Sequence, residues 1–241
     1  MKKIRRNRLI TLLLFVFMVC FGVIAFIKSD FFALKNIKIL NNNMLTKSEV
    51  KDLSKIAIGK NIFTYDLKKI NSNIRESTYI KDVTVKRKIP NSILINIQEK
   101  QISCVLKNNN NIYYYVDKNM VYIDKVKKEN IKENYPIVSV DFFIKDNQIY
   151  FKRDKDKKYL INLVDNINRQ ELNKKIDSID FFKDDKVSLK IGNSMEVVID
   201  ENKDVKHDMS RLTKILVDLQ SQNINYGKID MTFSKYDLYT Y

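Results

Sequence analysis

The chain has 241 residues, of which 30% are charged and 44% are hydrophobic, and its formal net charge is +15 at pH 7. Two prolines and four glycines are too few for a collagen-like protein or a proline-rich stalk. Cys20 and Cys104 are the only cysteines, so the sequence holds neither a disulfide framework nor a Cys-x-x-Cys motif. The length allows one or two domains, each large enough to bury a core.

An apolar run without a charged side chain occupies residues 9–27. As a helix it would be roughly 28 Å long, about the thickness of the hydrocarbon core of a bilayer. We therefore predict a transmembrane helix over residues 9–27. Five basic side chains and no acidic one precede the run, whereas Lys28 and Asp30 are the first charges after it. This bias predicts a cytoplasmic basic tail over residues 1–8 and export of residues 28–241.

A cleaved signal peptide is the alternative interpretation of this run, because it also begins with basic residues. Signal peptides usually have an apolar region of about 7 to 15 residues, followed by small residues at the cleavage site. Here the run is longer, and Ala25-Phe26-Ile27 and Phe31-Phe32-Ala33 place bulky residues where small ones belong. We favour an uncleaved anchor, followed by a linker over residues 28–33.

Local patterns in residues 34–99 predict a small α+β domain. Alternating apolar residues indicate a strand at residues 36–40, and a capping box that begins at Thr46 opens a helix. A second helix is expected after Asp66. The apolar period then falls to two on both sides of a turn at Pro90, as in a β-hairpin. This order of elements indicates two helices that cover one face of a small sheet.

The same segment contains a series of short motifs directly after the predicted membrane helix. These motifs are LKNIKI at 34–39, LT at 45–46 with EV at 49–50, GKNIF at 59–63, YIKDV at 79–83 and VKRKIPNSI at 85–93. In their order and spacing they resemble a POTRA domain and, more narrowly, the POTRA domain of the FtsQ/DivIB family of bacterial cell-division proteins. The resemblance implies a POTRA domain over residues 34–99.

The remaining residues, 100–241, are predicted to form a β-rich domain with mixed helices. Short apolar runs separated by Asn-rich turns indicate consecutive hairpins between residues 102 and 123. Adjacent residues on a strand point to opposite faces, so at least one of Tyr113, Tyr114 and Tyr115 is expected in the core and another partly exposed.

Farther along the chain, residues 141–180 fit one or two helices. Their apolar positions are Ile161, Val164, Ile167, Leu172, Ile176 and Ile179. A hairpin with a turn at Gly192-Asn193 follows, and Asp204 is expected to cap a helix. A strand is predicted at residues 229–233, which resemble an element that the family has near its C-terminus.

The sequence carries no signature of catalysis or of metal binding. His207 is the single histidine, and its place in the first turn of an amphipathic helix favours a surface side chain over a ligand. Gly-x-Ser-x-Gly and phosphate-binding loop sequences do not occur. We therefore expect no enzyme activity, no cofactor and no metal. A wall hydrolase with a pair of carboxylates is the enzymatic alternative.

The positive charge is spread along the chain. The five N-terminal bases account for +5 of the net charge of +15, which leaves +10 for the exported part. Its basic residues alternate with acidic ones, which is typical of a solvated face and argues against nucleic acid as a partner. The summed charge allows weak contact with anionic lipid or wall polymer.

The resemblance implies a non-enzymatic, single-pass membrane protein that acts as a scaffold of the divisome at the division septum. It also implies partners of the DivIC/FtsB type and of the FtsL type. The edge of a sheet can accept a partner's strand, and aromatic residues near the C-terminus suit a protein interface. The predicted partner-binding residues are Ile229, Met231, Phe233, Tyr236, Leu238, Tyr239 and Tyr241.

Two alternatives to this interpretation stay open. The C-terminal tyrosines can instead pack against their own domain. For the whole protein, the alternative is a POTRA-containing protein that handles polypeptides in secretion or outer-membrane assembly. A single POTRA unit behind an inner-membrane anchor argues against that alternative.

Overall fold

The computed structural model describes residues 2–131, 135–172, 175–233 and 237–240. The chain forms two compact units, Met1–Glu99 and Lys100–Tyr241. Each unit contains a separate cluster of buried apolar side chains and therefore has its own core.

The first unit begins with helix α1, Lys2–Ile27, which contains the predicted transmembrane segment. Residues Ile10–Ile27 are long and apolar enough to cross a membrane, and none of this stretch is buried in the protein. A core helix would bury at least one face, so the exposed apolar surface of α1 fits a bilayer. A short 3-10 turn, Asp30–Phe32, follows α1 and ends at a phenylalanine that is already part of the next core.

The part of the first unit that follows α1 has the predicted α+β architecture, which the structure confirms. Its elements are β1 (Asn36–Leu40), α2 (Lys47–Ser54), α3 (Leu67–Arg75), β2 (Ile80–Lys88) and β3 (Ser92–Glu99). Strand β3 lies in the centre of the sheet, parallel to β1 and antiparallel to β2. Val50 from α2 and Ile74 from α3 belong to the same buried cluster as Ile95 from β3, so the helices and the sheet share one core.

Side-chain caps fix where the two helices begin. Thr46 Oγ1 accepts a hydrogen bond from the Glu49 N–H at 3.2 Å, and Glu49 Oε2 accepts one from the Thr46 N–H at 2.7 Å. This reciprocal pair is the predicted capping box. At the second helix, Asp66 Oδ1 accepts hydrogen bonds from the N–H groups of Lys68 and Lys69. Both caps satisfy backbone donors that have no partner within the helix.

Glu99, the last residue of β3, holds the loop that follows β1. Its carboxylate accepts hydrogen bonds from the backbone N–H groups of Asn43, Met44 and Leu45 at 2.9, 2.8 and 3.0 Å. Hydrogen bonds to a charged acceptor are stronger than those between neutral groups. Glu99 therefore joins the end of the domain to its first loop.

The second unit is dominated by strands. They are β4 (Cys104–Lys107), β5 (Tyr113–Val116), β6 (Tyr122–Val126), β7 (Ile137–Ser139), β8 (Phe142–Lys145), β9 (Gln148–Phe151), β10 (Ile176–Phe181), β11 (Lys186–Ile191), β12 (Met195–Asp200), β13 (Gly227–Asp230) and β14 (Leu238–Thr240). Two helices, α4 (Asp154–Arg169) and α5 (Val205–Ser221), complete the unit. The predicted hairpins β4–β5–β6 and β11–β12 and the predicted cap of α5 by Asp204 are confirmed.

One mixed sheet of nine strands organises this unit. The strand order is β14-β13-β12-β11-β10-β7-β4-β5-β6, while β8 and β9 form a separate hairpin. Side chains from α4, such as Leu163, and from α5, such as Leu212, join Leu189 and Ile229 in the main core. Strand β12 runs parallel to β13, with α5 as the crossover between them. The crossover positions β13 near the end of the sheet.

The helical prediction for residues 141–180 is only partly correct. Helix α4 contains Ile161, Val164 and Ile167 as expected, but the β8–β9 hairpin precedes it, and Ile176 and Ile179 lie on β10. The register of β10 against β11 shifts between Ile176 and Ser178. A bulge of this kind lets two apolar residues three apart face the same core, which imitates helical spacing.

The tyrosines of β5 follow the expected alternation. Tyr115 is fully buried and its ring lies 5.9 Å from the ring of Tyr135. Tyr114 is half-buried on the side of the main core, where its ring contacts Phe142 edge-on at 5.9 Å. The prediction that one tyrosine is buried and another partly exposed is therefore confirmed.

A cluster of charged side chains connects the start of α4 with residues that adjoin β11 and β12. Arg153 Nε lies 2.8 Å from Asp156 Oδ1, and Arg153 Nη1 lies 2.9 Å from Asp185 Oδ1. Glu201, whose side chain is 2% exposed, lies 3.5 Å from both Arg153 and Lys155. Burial and the nearby negative charge of Asp156 raise the pKa of Glu201, while Arg153 and Lys155 lower it. The net effect is a raised pKa for Glu201, which the two cations oppose.

Replacing Arg153 with alanine is expected to lower the free energy of unfolding by about 3 kcal/mol at neutral pH, because Glu201 and Asp156 would lose their main cation. The loss should shrink as the pH falls, since protonation of Glu201 removes an uncompensated buried charge. Chemical unfolding of the full chain in detergent, followed by circular dichroism, measures both effects. Lys155→Ala is the control, because Lys155 is more exposed and its loss should destabilise the fold less than the loss of Arg153. Equal losses for the two variants would contradict the assignment.

Candidate partner-binding edge

Strand β14 forms one edge of the nine-stranded sheet, and β6 forms the other. Strand β14 pairs with β13 in antiparallel register, with Ile229 opposite Tyr239 and Asp230 opposite Leu238. An edge strand pairs with its sheet along one side only, so its other side can receive an added strand. We call β14 together with residues 231–233 the C-terminal edge.

Gly227 allows β14 to lie close to the start of β13. Its φ of +111° is a backbone conformation that residues with a side chain rarely adopt. A Cβ atom at this position would lie 2.6 Å from the carbonyl oxygen of Thr240 and 2.8 Å from the hydroxyl of Tyr239. Only glycine therefore fits beneath β14 at this position.

Gly227→Ala is expected to lower the free energy of unfolding by at least about 2 kcal/mol and to displace β14, since the backbone strain and the clash with Thr240 add together. Gly192→Ala is the matched control. Gly192 also has a positive φ, +59°, but nothing lies within 4 Å of its added Cβ. It should lose only about 1 kcal/mol. A loss for Gly227→Ala no larger than for the control would show that β14 does not need the close approach.

Side chains hold the C-terminal edge to the rest of the domain. The hydroxyl of Tyr239 donates a hydrogen bond to the carbonyl of Tyr226 at 2.6 Å. Lys203 Nζ donates to the carbonyl oxygens of Met231 at 3.0 Å and Phe233 at 2.7 Å. These contacts fix the backbone at residues 231 and 233 and hold β14 beside the start of β13.

Helix α5 supplies a further anchor through Arg211. Its guanidinium forms an ion pair with Asp237, the residue just before β14. On the helix itself, Arg211 Nη1 lies 3.8 Å from Oδ1 of the buried Asp208. Burial raises the pKa of Asp208, and the positive charges of Lys203 and Arg211 act in the opposite direction. Arg211 therefore links a buried carboxylate with the edge strand. His207, with 67% of its side chain exposed, is the expected surface residue.

The predicted partner-binding residues fall into three groups. Ile229 and Met231 are fully buried and belong to the core, so their side chains face away from any partner. Phe233 and Leu238 are 38% and 45% exposed, and Tyr239 is half-buried. The remaining two residues, Tyr236 and Tyr241, lie outside the described residues.

Catalytic or metal-binding chemistry has little support in this unit. Among the residues that the structure describes, no group of three His, Cys, Asp or Glu side chains is arranged to hold a metal ion. Cys104 is fully buried, and burial raises the pKa of its thiol. A buried thiol with a raised pKa is a poor nucleophile, so Cys104 is a core residue.

Sequence patterns did not indicate the residues that hold the edge. Arg211 and Asp237 are 26 residues apart, and Lys203 reaches carbonyls 28 and 30 residues farther along. Such contacts depend on the crossover through α5, for which no local motif exists. The closeness of Gly227 to Thr240 was not recognisable from the sequence either.

Together, these features define a protein with two folded units that follow a helix long and apolar enough to span a membrane. A family model described as "POTRA domain, FtsQ-type" matches residues 32–100, and one described as "Cell division protein FtsQ/DivIB, C-terminal" matches residues 104–232. The second match covers more than half of the chain. The chain belongs to the FtsQ/DivIB family of bacterial cell-division proteins.

Individual relatives agree with this assignment. The cell division protein DivIB of Clostridium acetobutylicum is 28% identical over 227 residues, which cover 92% of this chain and 88% of the relative. DivIB of Clostridium tetani is 28% identical over 206 residues, or 83% of this chain and 75% of the relative. DivIB of Listeria monocytogenes is 24% identical over 172 residues, or 70% and 58% of the two chains. The similarity therefore extends over both units.

Proposed function

We propose that this protein is a non-enzymatic scaffold of the divisome that captures other division proteins at its C-terminal edge. Residues 1–8 lie in the cytoplasm, residues 9–27 cross the membrane, and the POTRA domain at 34–99 and the β domain at 100–241 lie outside. The protein acts at the division septum, and its partners are proteins of the DivIC/FtsB type and of the FtsL type.

The observation that carries this proposal is the position of β14 at the edge of the sheet. A partner segment in extended conformation that pairs with β14 would become the tenth strand of the sheet. Backbone hydrogen bonds would provide affinity, and side-chain contacts would provide specificity. The exposed Phe233 and Leu238 offer apolar area for those contacts.

The structure of the edge suits capture of a strand in a second way. The Tyr239 hydroxyl, the Arg211–Asp237 pair and the two hydrogen bonds from Lys203 hold β14 and residues 231 and 233 in place before a partner arrives. A preorganised surface loses less conformational entropy when it binds. The edge therefore needs no rearrangement to receive a strand.

A fluorescent fusion of the full chain tests the cellular part of this proposal. In a bacterium depleted of its own FtsQ/DivIB protein, the fusion should accumulate at midcell and restore division. A second fusion, which carries Leu238→Asp on the exposed side of the edge, is the control for the edge. It should reach the membrane but fail to restore division. An even distribution of the first fusion around the cell would overturn the proposed location.

Purified peptidoglycan tests the non-enzymatic part. The full chain in detergent should release no soluble muropeptides if the protein acts only as a scaffold. A known muramidase serves as the positive control. Release of muropeptides by the protein would favour the wall hydrolase.

A further inference from the structure

The end of the POTRA domain next to α1 is built from three segments, residues 28–35, 57–64 and 87–91, which we call the helix-proximal end. Backbone hydrogen bonds join these segments. The N–H of Leu34 donates to the carbonyl of Lys60 at 2.8 Å, and the N–H of Gly59 donates to the carbonyl of Leu34 at 2.9 Å. The N–H of Lys35 donates to the carbonyl of Asn91 at 2.8 Å. The three segments therefore form one connected surface.

This surface is attached directly to the last turns of α1. Asn61 Nδ2 donates a hydrogen bond to the carbonyl of Ile27, the last residue of the helix, at 2.7 Å. The ring of Phe32 lies 5.2 Å from the ring of Phe26 in α1 and 5.3 Å from the ring of Phe63 in the POTRA domain. The 3-10 turn Ile62–Thr64 consequently lies beside the point where the apolar helix ends. In a protein whose helix spans the bilayer, that point lies at the boundary between lipid tails and head groups.

The attachment is fixed from the other side by Arg87. Its Nε donates to the carbonyl of Ile62 at 3.0 Å, and its guanidinium also bonds to the carbonyl of Tyr65. The turn that carries Phe63 is therefore held between α1 and the end of β2. A turn held at both sides cannot swing away from the helix end without breaking these contacts.

The exposed side chains of the helix-proximal end have the composition of a membrane interface. Four large apolar side chains are exposed here, namely Phe31, Ile58, Phe63 and Ile89. Four exposed lysines accompany them, namely Lys28, Lys35, Lys60 and Lys88, and Asp30 is the acidic residue in these segments. Aromatic side chains are favoured at the level of lipid head groups, and lysines there reach phosphate groups. In water, the same four apolar side chains would form an unfavourable exposed patch.

We propose that the helix-proximal end of the POTRA domain is seated in the head-group layer of the bilayer that α1 spans. Phe31, Ile58 and Phe63 contact the upper part of the lipid tails, while the lysines contact lipid phosphates. Residues 28–33 then act as a short, folded junction and not as a free tether. This inference rests on α1 as a membrane span and is independent of what binds at the C-terminal edge.

Tryptophan fluorescence tests the proposal, because the chain has no natural tryptophan. Phe63→Trp and Ile58→Trp are made separately in the full chain and placed in nanodiscs of phosphatidylcholine and phosphatidylglycerol with a nitroxide at the head group. Leu40→Trp is the matched control. Leu40 is 46% exposed and ends the strand that starts at the helix-proximal end. It lies about 13 Å farther along that strand. Phe17→Trp within α1 shows that the helix has inserted.

The nitroxide should quench Phe63→Trp and Ile58→Trp at least about twofold more than Leu40→Trp, since a side chain seated in the interface lies within its reach. Their emission should also shift to shorter wavelength. Two variants are used so that misfolding of one, detected by circular dichroism, leaves the other as a test. Quenching of both no greater than that of Leu40→Trp, with an emission maximum of Phe17→Trp typical of lipid, would overturn the proposal. Emission of Phe17→Trp typical of water would instead refute α1 as the span.

Discussion

Leu238→Asp is expected to weaken binding of a DivIC/FtsB-type partner at least about tenfold, because the partner loses an apolar contact worth about 1.5 kcal/mol or more. A charged side chain on an edge strand also opposes addition of another strand. Leu238 is 45% exposed, so the folded domain should keep its stability. The measurement is the dissociation constant of the full chain and its partner in nanodiscs, together with the circular dichroism spectrum of the variant.

Val121→Asp is the matched control for that prediction. Val121 is 55% exposed and directly precedes β6, at the opposite edge of the same sheet. The substitution introduces the same charge at an exposed apolar position without touching β14. Binding should therefore remain unchanged. If Val121→Asp weakened binding and Leu238→Asp did not, the partner would have to bind at the β6 edge.

Met231→Ala is expected to lower the free energy of unfolding by about 3 kcal/mol, because it removes a fully buried side chain and leaves a cavity. The loss arises from the core and not from the interface. Chemical unfolding of the full chain in detergent, without any partner, measures it directly.

Phe233→Ala separates the contribution of the C-terminal edge to stability from its contribution to partner binding. Phe233 is 38% exposed, so its truncation should cost less than about 1 kcal/mol of stability. The same variant should weaken partner binding, since Phe233 offers its apolar area outward. A large loss of stability with unchanged binding would place Phe233 in the core and remove it from the proposed interface.

Most of the POTRA fold follows from local signals in the sequence. The capping box at Thr46, the Asp66 cap and the alternation around Pro90 are each formed within a few residues, and the structure contains all three. The role of Glu99 was not predictable in this way, because its backbone partners lie more than 50 residues earlier in the chain.

The second unit was less predictable where strands deviate from regular alternation. Ile176 and Ile179 are three residues apart in the sequence, a spacing that favoured a helix. The bulge in β10 lets both side chains face the core although they lie on a strand. The strands β8 and β9 have only four residues each, too few for a clear period. The structure of both regions is decided by how their strands pair and pack with the rest of the unit, which no local sequence pattern indicates.

The strand predicted at residues 229–233 is only partly confirmed. Alternation suggested a strand through residue 233, whereas β13 ends at Asp230. There the Asp230 carboxylate accepts hydrogen bonds from the N–H and the hydroxyl of Thr232, which turns the chain. Met231 consequently points into the core, and Phe233 remains exposed.

Photo-cross-linking in living cells tests the central claim most directly. A photoreactive amino acid is placed at Leu238 in one variant of the full chain and at Val121 in another, and cross-linked proteins are identified by mass spectrometry. Capture at the C-terminal edge predicts a cross-link to a DivIC/FtsB-type protein from position 238 and none from position 121. A cross-link to that protein from position 121 alone would contradict the account.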